Sequence, residues 1–433
     1  MKVSVIGTGY VGLVSGSCLA NLGLDVICAD VDEAKIKVLL DGGIPIYEPG
    51  LEEVVHRNVH AGRLRFTTDV GAAVRGAEVV FLAVGTPPLP DGSADMRFVF
   101  DAVKTFSENH AGYQVIVTKS TVPAGTGARI EAMLLEKHPK DSFCVVSNPE
   151  FLREGSAVSD FTNPDRIVVG CDDPKGLEIM KRLFKPQTDQ NVRLLVTNRI
   201  SAELIKYASN GFLSVKISFI NEISRLCEEV GADVGDVARG MGMDSRIGPR
   251  FLNAGPGYGG SCFPKDTRAL LDVARAHKVP LRVVEAAVAA NEDQIQRSLN
   301  KISKAFGGTV KGKTVALLGL AFKSDTDDIR ESPAVKIAAA LLDAGATVQA
   351  YDPAAADNAV RELPGLKSCE DPYAAAHGAD GLVIATEWNE FKKLDWPRLK
   401  TALSSPVVVD LRNLHDPREV GDEGFLYFSV GRP

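Results

Sequence analysis

The stretch GYGGSCFPKD, residues 257–266, sets one cysteine behind three glycines and just ahead of a proline, a lysine and an aspartate. Pro264 suits the first turn of a helix through PKDTRALLDVARAH, which places the Cys262 thiol near the positive end of a helix dipole and close to Lys265. Both features favour the thiolate, the nucleophilic form of cysteine. The other six cysteines sit in apolar patterns or unmarked positions, as small buried residues do. Two further pairs are spaced for chemistry. In SAELIKYASNG, Lys206 and Asn210 are four apart and share a helix face, in surroundings too apolar for a comfortable solvated stripe. In NPEFLREG, Glu150 and Glu154 follow the end of an expected strand, where ligands of open α/β sheets bind. A carboxylate pair on a solvated turn is the alternative reading there.

The elements that must position these groups begin at the N-terminus. KVSVIG reads as a buried strand, TGYVGLVSGSCLANLG as a helix and LDVICAD as a second strand, a βαβ unit. Gly7, Gly9 and Gly12 form a G-x-G-x-x-G pattern at the strand–helix turn, and Asp30 ends the next strand 18 residues later. In that context the glycines let a backbone approach a pyrophosphate, and the helix N-terminus favours its charge. Asp30 binds the adenosine ribose hydroxyls and repels a 2′-phosphate, so the cofactor expected is NAD rather than NADP. A P-loop-like match at GGTVKGKT, through Gly307, Gly312, Lys313 and Thr314, has a helical segment before it and a strand after it, the reverse of what phosphate binding needs. His56 and His60 stand four apart on an amphipathic helix, with no third or fourth ligand nearby, so no metal site is expected.

Further strands at AEVVFLAVG, YQVIVTKST and FCVVSNPE extend the first unit. The segment from Ile200 to Val230 runs without proline and with apolar positions on nearly every face, the pattern of a long buried helix. It is expected to join two domains and to pack on a second copy of itself, giving a homodimer. After the helix KVPLRVVEAAVAANEDQIQ, the strands KTVALLGLAF and TVQAYDP repeat the N-terminal plan in a degenerate form. The fold expected is α/β, with two Rossmann-like doubly wound parallel-sheet domains joined by a long central helix. The expected boundaries are 1–197 for the NAD-binding domain, 198–305 for the central helical region and 306–433 for the C-terminal domain. A chain of 433 residues with formal charge −7 and mixed acidic and basic residues shows no nucleic-acid footprint and no membrane-seeking patch. Seven cysteines, with no Cys-x-x-Cys pair, argue against a disulfide framework and for the cytoplasm.

GTGYVGL, VGTPPLPDG, STVPAGT, NPEFLREG, AELIKYASN, GPGYGGSCFPKD and GLAFKSDTDDIRESP occur in order, and as a set they resemble the UDP-glucose/GDP-mannose dehydrogenases. SRIGPRFLNAGPGYGGSCFPKD is more similar to the UDP-glucose branch than to the GDP-mannose branch. The resemblance implies a four-electron oxidation of UDP-glucose at the sugar C6 alcohol to the carboxylate, with two NAD molecules and a covalent step on Cys262. The glycines at 257, 259 and 260 are expected to let the sugar reach the sulfur. It further implies that Lys206 stabilises the developing alkoxide and oxyanion, with Asn210 as a second donor. Thr121 and Asp266 hold and activate water, and Glu154 assists hydrolysis. NAD contacts carried over are Gly7, Gly9, Tyr10, Val11, Gly12 and Asp30, then Lys35, Thr86, Thr121, Glu154, Lys265 and Arg330. Substrate contacts are the segment Glu150, Phe151, Leu152, Arg153 and Glu154, with Lys206 and Asn210. To these the loop residues Phe251, Leu252, Asn253 and Gly255 are added, then Gly259, Phe322 and Lys323, and Arg246 from a partner subunit. Asn253 stands where some relatives carry lysine. The same chemistry on GDP-mannose or UDP-N-acetylmannosamine, or a non-catalytic NAD-binding protein, are the competing readings.

Overall fold

The computed structural model describes residues 1–432, which form two compact units. The first comprises Met1–Ser209 with Arg268–Val279; the second comprises Asn210–Thr267 with the residues from Pro280 onward.

The first unit is built on eight strands: β1 (Lys2–Ile6), β2 (Asp25–Ala29), β3 (Leu64–Thr67), β4 (Val79–Leu82), β5 (Gln114–Thr118), β6 (Phe143–Ser147), β7 (Ile167–Gly170) and β8 (Leu194–Thr197). Their order in the sheet is β3-β2-β1-β4-β5-β6-β7-β8. All neighbours are parallel except β6 and β7, which meet antiparallel through Ser147 and Gly170, a departure from a purely parallel sheet. Strands β4 to β7 are buried at every position, as parallel strands covered on both faces must be. Alternate residues divide between the two faces. Val79, Phe81, Val115 and Val117 join one apolar cluster, while Val80, Leu82, Ile116 and Val145 join the other. Because β1 pairs with both β2 and β4, the strand order reverses beside β1, and the crevice at the strand ends there is where open α/β sheets place ligands. The turns after β1, β4, β5 and β6 carry Gly7–Gly12, Thr86, Thr121 and the 150–154 segment.

The second unit has six parallel strands: β9 (Thr314–Leu318), β10 (Thr347–Tyr351), β11 (Lys367–Ser368), β12 (Gly381–Ile384), β13 (Val407–Asp410) and β14 (Leu426–Ser429), ordered β11-β10-β9-β12-β13-β14. Its central turn repeats that of the first unit in detail. Gly319 has φ 93° and donates to Tyr351 O at 2.8 Å, as Gly7, φ 99°, donates to Ala29 O at 2.8 Å. The residues beyond that glycine differ. Ala321 and Ser324 stand where Gly9 and Gly12 stand in the first unit, and Asp352, placed like Asp30, accepts the backbone N–H groups of Leu320 and Ala321 at 2.7 and 3.0 Å and the Trp388 indole N–H at 3.0 Å. With two of the three glycines missing, this second Rossmann-like unit is degenerate as the sequence implied.

The long helix Arg199–Val230 has 32 residues and, at 1.5 Å per residue, spans about 48 Å. It is buried on one side only. Phe212, Phe219 and Leu226, spaced by seven, are 64, 44 and 57% exposed. The chain thus covers one stripe of this helix and leaves another bare. No helix of the described residues is long and apolar enough to cross a membrane.

Candidate active site

The first unit supplies the dinucleotide turn. A Cβ on Gly7 would lie 2.7 Å from Ala83 O, and one on Gly12 would lie 1.9 Å from Gly7 O, so both glycines serve the turn and the packing of helix on strand. Gly9 is different: a Cβ there meets nothing within 4 Å. It caps the helix Tyr10–Asn21 without a side-chain cap and with no acidic residue in the first turn, leaving the amide end of that helix open to an anion. Asp30 is fixed at the end of β2, where Oδ2 accepts Thr8 N at 2.6 Å and the Thr8 hydroxyl at 2.8 Å, and Oδ1 accepts Asp32 N at 3.0 Å. These residues fit the pyrophosphate and ribose of a dinucleotide. Nearby, the ammonium of Lys35 pairs with Asp32 at 3.4 Å, and the buried Thr86 hydroxyl donates to Thr121 O at 3.0 Å, linking the turns after β4 and β5.

The segment after β6 carries the acidic pair. Glu150 and Glu154 are only 5 and 8% exposed, which rules out the solvated-turn alternative. Glu150 uses both carboxylate oxygens: Oε1 accepts Lys206 Nζ at 2.8 Å and Oε2 accepts Leu152 N at 2.5 Å. The ammonium of Lys206 and the charge of Lys119, with the local hydrogen bonds, outweigh its burial and hold its carboxyl below the usual carboxylate range. Phe151 lies between two cations, 3.6 Å from the Arg166 guanidinium and 5.5 Å from Lys206 Nζ. Arg153 grips Asp160 in a two-pronged pair at 2.9 and 2.6 Å, so its side chain serves the segment itself.

Glu48 was not among the expected residues. Its buried carboxylate accepts the Tyr10 hydroxyl on one side and Gly155 N and Ala157 N, each at 2.7 Å, on the other. It thus ties the first residue of the dinucleotide helix to the segment just past Glu154. In the sequence its partners lie 38 to 109 residues away, so no spacing signals it.

In the second unit, Cys262 accepts Asp266 N through its own carbonyl at 2.8 Å, which makes it the N-cap of the helix Phe263–Ala276. The helix start expected from Pro264 is therefore where the thiol sits, and Sγ is 3.5 Å from the Ser261 hydroxyl. The ammonium of Lys265 is held by Asp266 Oδ1 at 2.6 Å, and Asp266 Oδ2 accepts Asn210 Nδ2 at 2.6 Å. Asp266 and Asn210 are 1 and 5% exposed. The expected effect of Lys265 on the thiol is partly offset by that carboxylate, while the helix dipole acts on it directly.

The glycines around the cysteine are closely packed. A Cβ on Gly257 would meet Asn291 Oδ1 at 2.8 Å, on Gly259 the Glu331 carbonyl at 2.4 Å, and on Gly260 the Phe322 ring at 2.7 Å. These contacts give each glycine a reason in the close packing of the loop on its own protein neighbours. Two side-chain amides that the sequence pattern does not signal fix this loop: Asn221 Oδ1 accepts Gly255 N at 2.9 Å, and Asn291 Oδ1 accepts Tyr258 N at 2.8 Å. Gly260 N donates to Arg330 O at 2.9 Å, and the Arg330 guanidinium forks onto Asp328 at 2.8 Å on each prong. Lys323 Nζ stands 5.7 Å from the Phe322 ring. In the 251–255 loop Phe251 has φ 65°, Leu252 is buried and Asn253 is exposed. Arg246 is 87% exposed and forks onto Asp244. No cluster of metal-ligating residues exists among the described residues, and His56 and His60 face solvent.

Three models of one family match in order: UDP-glucose/GDP-mannose dehydrogenase family, NAD binding domain, over residues 1–188; the central domain over 200–293; and the UDP binding domain over 316–417. The chain is 52% identical to UDP-glucose 6-dehydrogenase of Rhizobium meliloti, covering 100% of both chains, and 48% identical to UDP-glucose 6-dehydrogenase TuaD of Bacillus subtilis, covering 100% of this chain and 93% of that protein. Among solved structures it is similar to a UDP-glucose dehydrogenase from Pyrobaculum islandicum, with TM-score 0.92 and 38% identity over 100% of this chain and 98% of that one. It is also similar to a UDP-D-ManNAc dehydrogenase from Pyrococcus horikoshii, with TM-score 0.89 and 26% identity over 100 and 99%.

Proposed function

Because the chain belongs to the UDP-glucose/GDP-mannose dehydrogenase family, we propose that it oxidises UDP-glucose to UDP-glucuronate, taking the C6 alcohol to a carboxylate in two oxidations. NAD, when bound, supplies the hydride acceptor for each. The Gly7–Gly12 turn, with Tyr10 and Val11, holds its pyrophosphate and Asp30 its adenosine ribose. Lys35, Thr86, Thr121, Glu154, Lys265 and Arg330 complete the cofactor contacts.

In the first oxidation the Lys206 ammonium stabilises negative charge as it develops on the C6 oxygen, and Asn210 adds a second donor. A bare aldehyde carbon has no alkoxide to push out a second hydride. The thiolate of Cys262 removes that obstacle by forming an S–C bond to it, with the carbonyl oxygen taking the electron pair. Loss of hydride from this thiohemiacetal leaves a thioester on Cys262. Thr121 and Asp266 hold water, Glu154 assists its attack, and the S–C bond breaks to return the thiolate and release the carboxylate. Per turnover one alcohol, two NAD and one water become one carboxylate, two NADH and three protons. Glu150 supports Lys206. The backbone of Phe151 to Glu154, the loop Phe251–Gly255, Gly259, Phe322 and Lys323 bind the nucleotide sugar, and Arg246 reaches it from a second copy.

The stripe of Phe212, Phe219 and Leu226, exposed at a seven-residue spacing on the long helix, supports a homodimer through that helix. Seven free thiols support a reducing compartment, the cytoplasm.

The observation that carries the reading is Cys262 as N-cap of a helix whose first turn bears the Lys265–Asp266–Asn210 chain, a thiol that an alcohol dehydrogenase stopping at the aldehyde has no use for. The test offers NAD with UDP-glucose, GDP-mannose and UDP-N-acetylmannosamine in parallel and identifies the product by mass. UDP-glucuronate from UDP-glucose alone bears the reading out. An acid from either other sugar in preference reassigns the substrate, and NAD binding without turnover returns the protein to a non-catalytic role.

A further inference from the structure

The sequence QVIVTKST puts a lysine one residue past β5, among strand residues that are all buried. Lys119 is itself 6% exposed. A buried ammonium needs partners, and this one has few. Its Nζ donates to Asn148 Oδ1 at 3.0 Å. Asn148 Nδ2 donates to Val168 O at 2.6 Å, which fixes the amide so that its oxygen faces the lysine. The Phe161 ring, on the helix Ala157–Thr162, lies 5.9 Å from Nζ.

The charged groups acting on Lys119 are Glu150, in the segment after β6, and Lys206, on the long helix. Glu150 is already committed to Lys206 Nζ and Leu152 N. The charge of one buried carboxylate therefore acts on two buried ammoniums, Lys206 in contact and Lys119 through the field. Burial pushes the Lys119 ammonium down to about 8, so its proton is easily lost at mildly alkaline pH. Of the two lysines, Lys206 is the one in direct contact with the carboxylate.

We propose that Lys119 is a positioning residue for the oxidation: by sharing the field of Glu150 it sets how much of the Lys206 charge is available to an oxygen anion on the substrate. The inference rests on the assignment of Lys206 to that anion. With Lys119 charged, the Glu150 charge is divided between two cations and Lys206 presents a net positive field. With Lys119 neutral or absent, Glu150 and Lys206 close into a neutral pair whose field falls off faster. The contribution is present below about 8 and lost as pH rises through that value.

The test compares kcat for wild type, Lys119→Met and Lys119→Arg from about pH 6.5 to about pH 9.5, an interval that brackets the ionisation. Lys119→Met is expected to lower kcat about tenfold at the acid end, less than the roughly hundredfold or greater loss caused by removing a direct oxyanion donor. That deficit shrinks toward one as wild type loses its own charge, and KM for the nucleotide sugar changes little. Lys119→Arg stays charged throughout, so its rate relative to wild type rises across the same interval. It also carries the test if the methionine variant does not fold. Independently of turnover, NMR of lysine labelled at the ε-carbon should show in wild type one ionisation near about 8, lost in Lys119→Met. A Met-to-wild-type ratio that is constant with pH overturns the proposal, as does a lysine spectrum without that ionisation. Failure of wild type to oxidise any nucleotide sugar overturns instead the assignment of Lys206.

Discussion

Removing the Glu48 carboxylate tests how the dinucleotide turn is joined to the acidic segment. In Glu48→Ala the Tyr10 hydroxyl and the N–H groups of Gly155 and Ala157 lose their acceptor in a site where Glu48 is 7% exposed. Each buried donor left unsatisfied costs about 1–3 kcal/mol, and water entering the vacated space recovers part of it, so the loss is about 3–5 kcal/mol. In a domain of this size each kcal/mol lowers Tm by about 2–4 °C, which gives a fall of about 6–20 °C for the first unit. Differential scanning calorimetry reads this directly, with saturating NAD added in a second scan to identify the transition of the first unit. Glu48→Gln, which keeps the volume and one acceptor oxygen but turns an amide against the remaining donors, should fall between the two. A Tm for Glu48→Ala within about 2 °C of wild type would refute the reasoning, because it would mean that the three donors find other partners. Activity should track stability only in part. The change also frees Tyr10 and the backbone beside Glu154, so kcat at a temperature where the variant is folded should still be reduced.

Two substitutions at the chemistry have sharper readouts. Cys262→Ala should abolish release of free acid, and Cys262→Ser should accumulate a slowly hydrolysed ester, seen as a mass increase on the peptide bearing residue 262; acid formed at the normal rate by Cys262→Ala would sink the covalent route. Asp30→Ala should weaken NAD binding and narrow the preference for NAD over NADP, measured as the ratio of kcat/KM for the two cofactors; an unchanged ratio would mean that the ribose is read elsewhere.

Local patterns carried most of the fold. The turn at Gly7–Gly12 was legible because its glycines fall between a strand and a helix, and the C-terminal repeat of the plan was legible from the apolar runs KTVALLGLAF and TVQAYDP. β3 and β8 were not. β3 exposes part of its length and β8 is an edge strand, with Leu195 and Val196 46 and 39% exposed, so neither shows the unbroken apolar run of a covered strand. The long helix is legible in its extent, while which of its apolar positions the chain leaves bare is not, because apolar residues look alike whether the same chain covers them or not. At the site, Lys206 with Asn210 and Glu150 with Glu154 were visible from spacing and from apolar surroundings. Glu48, Lys119 and Asn148 were not, since each acts on groups tens of residues away in sequence. The glycines beside Cys262 show the converse limit. Their presence was legible but their packing was not, because Asn291, Phe322 and Glu331, the groups they accommodate, come from distant segments.

The central claim is that one thiol allows two oxidations of one carbon, and the most direct measurement is the NADH formed per molecule of limiting UDP-glucose, monitored by its absorbance until the reaction is complete. The account predicts two NADH for each UDP-glucose consumed, with UDP-glucuronate as the product. One NADH with the aldehyde as end product would contradict it, because the reaction would then stop before the step that requires Cys262.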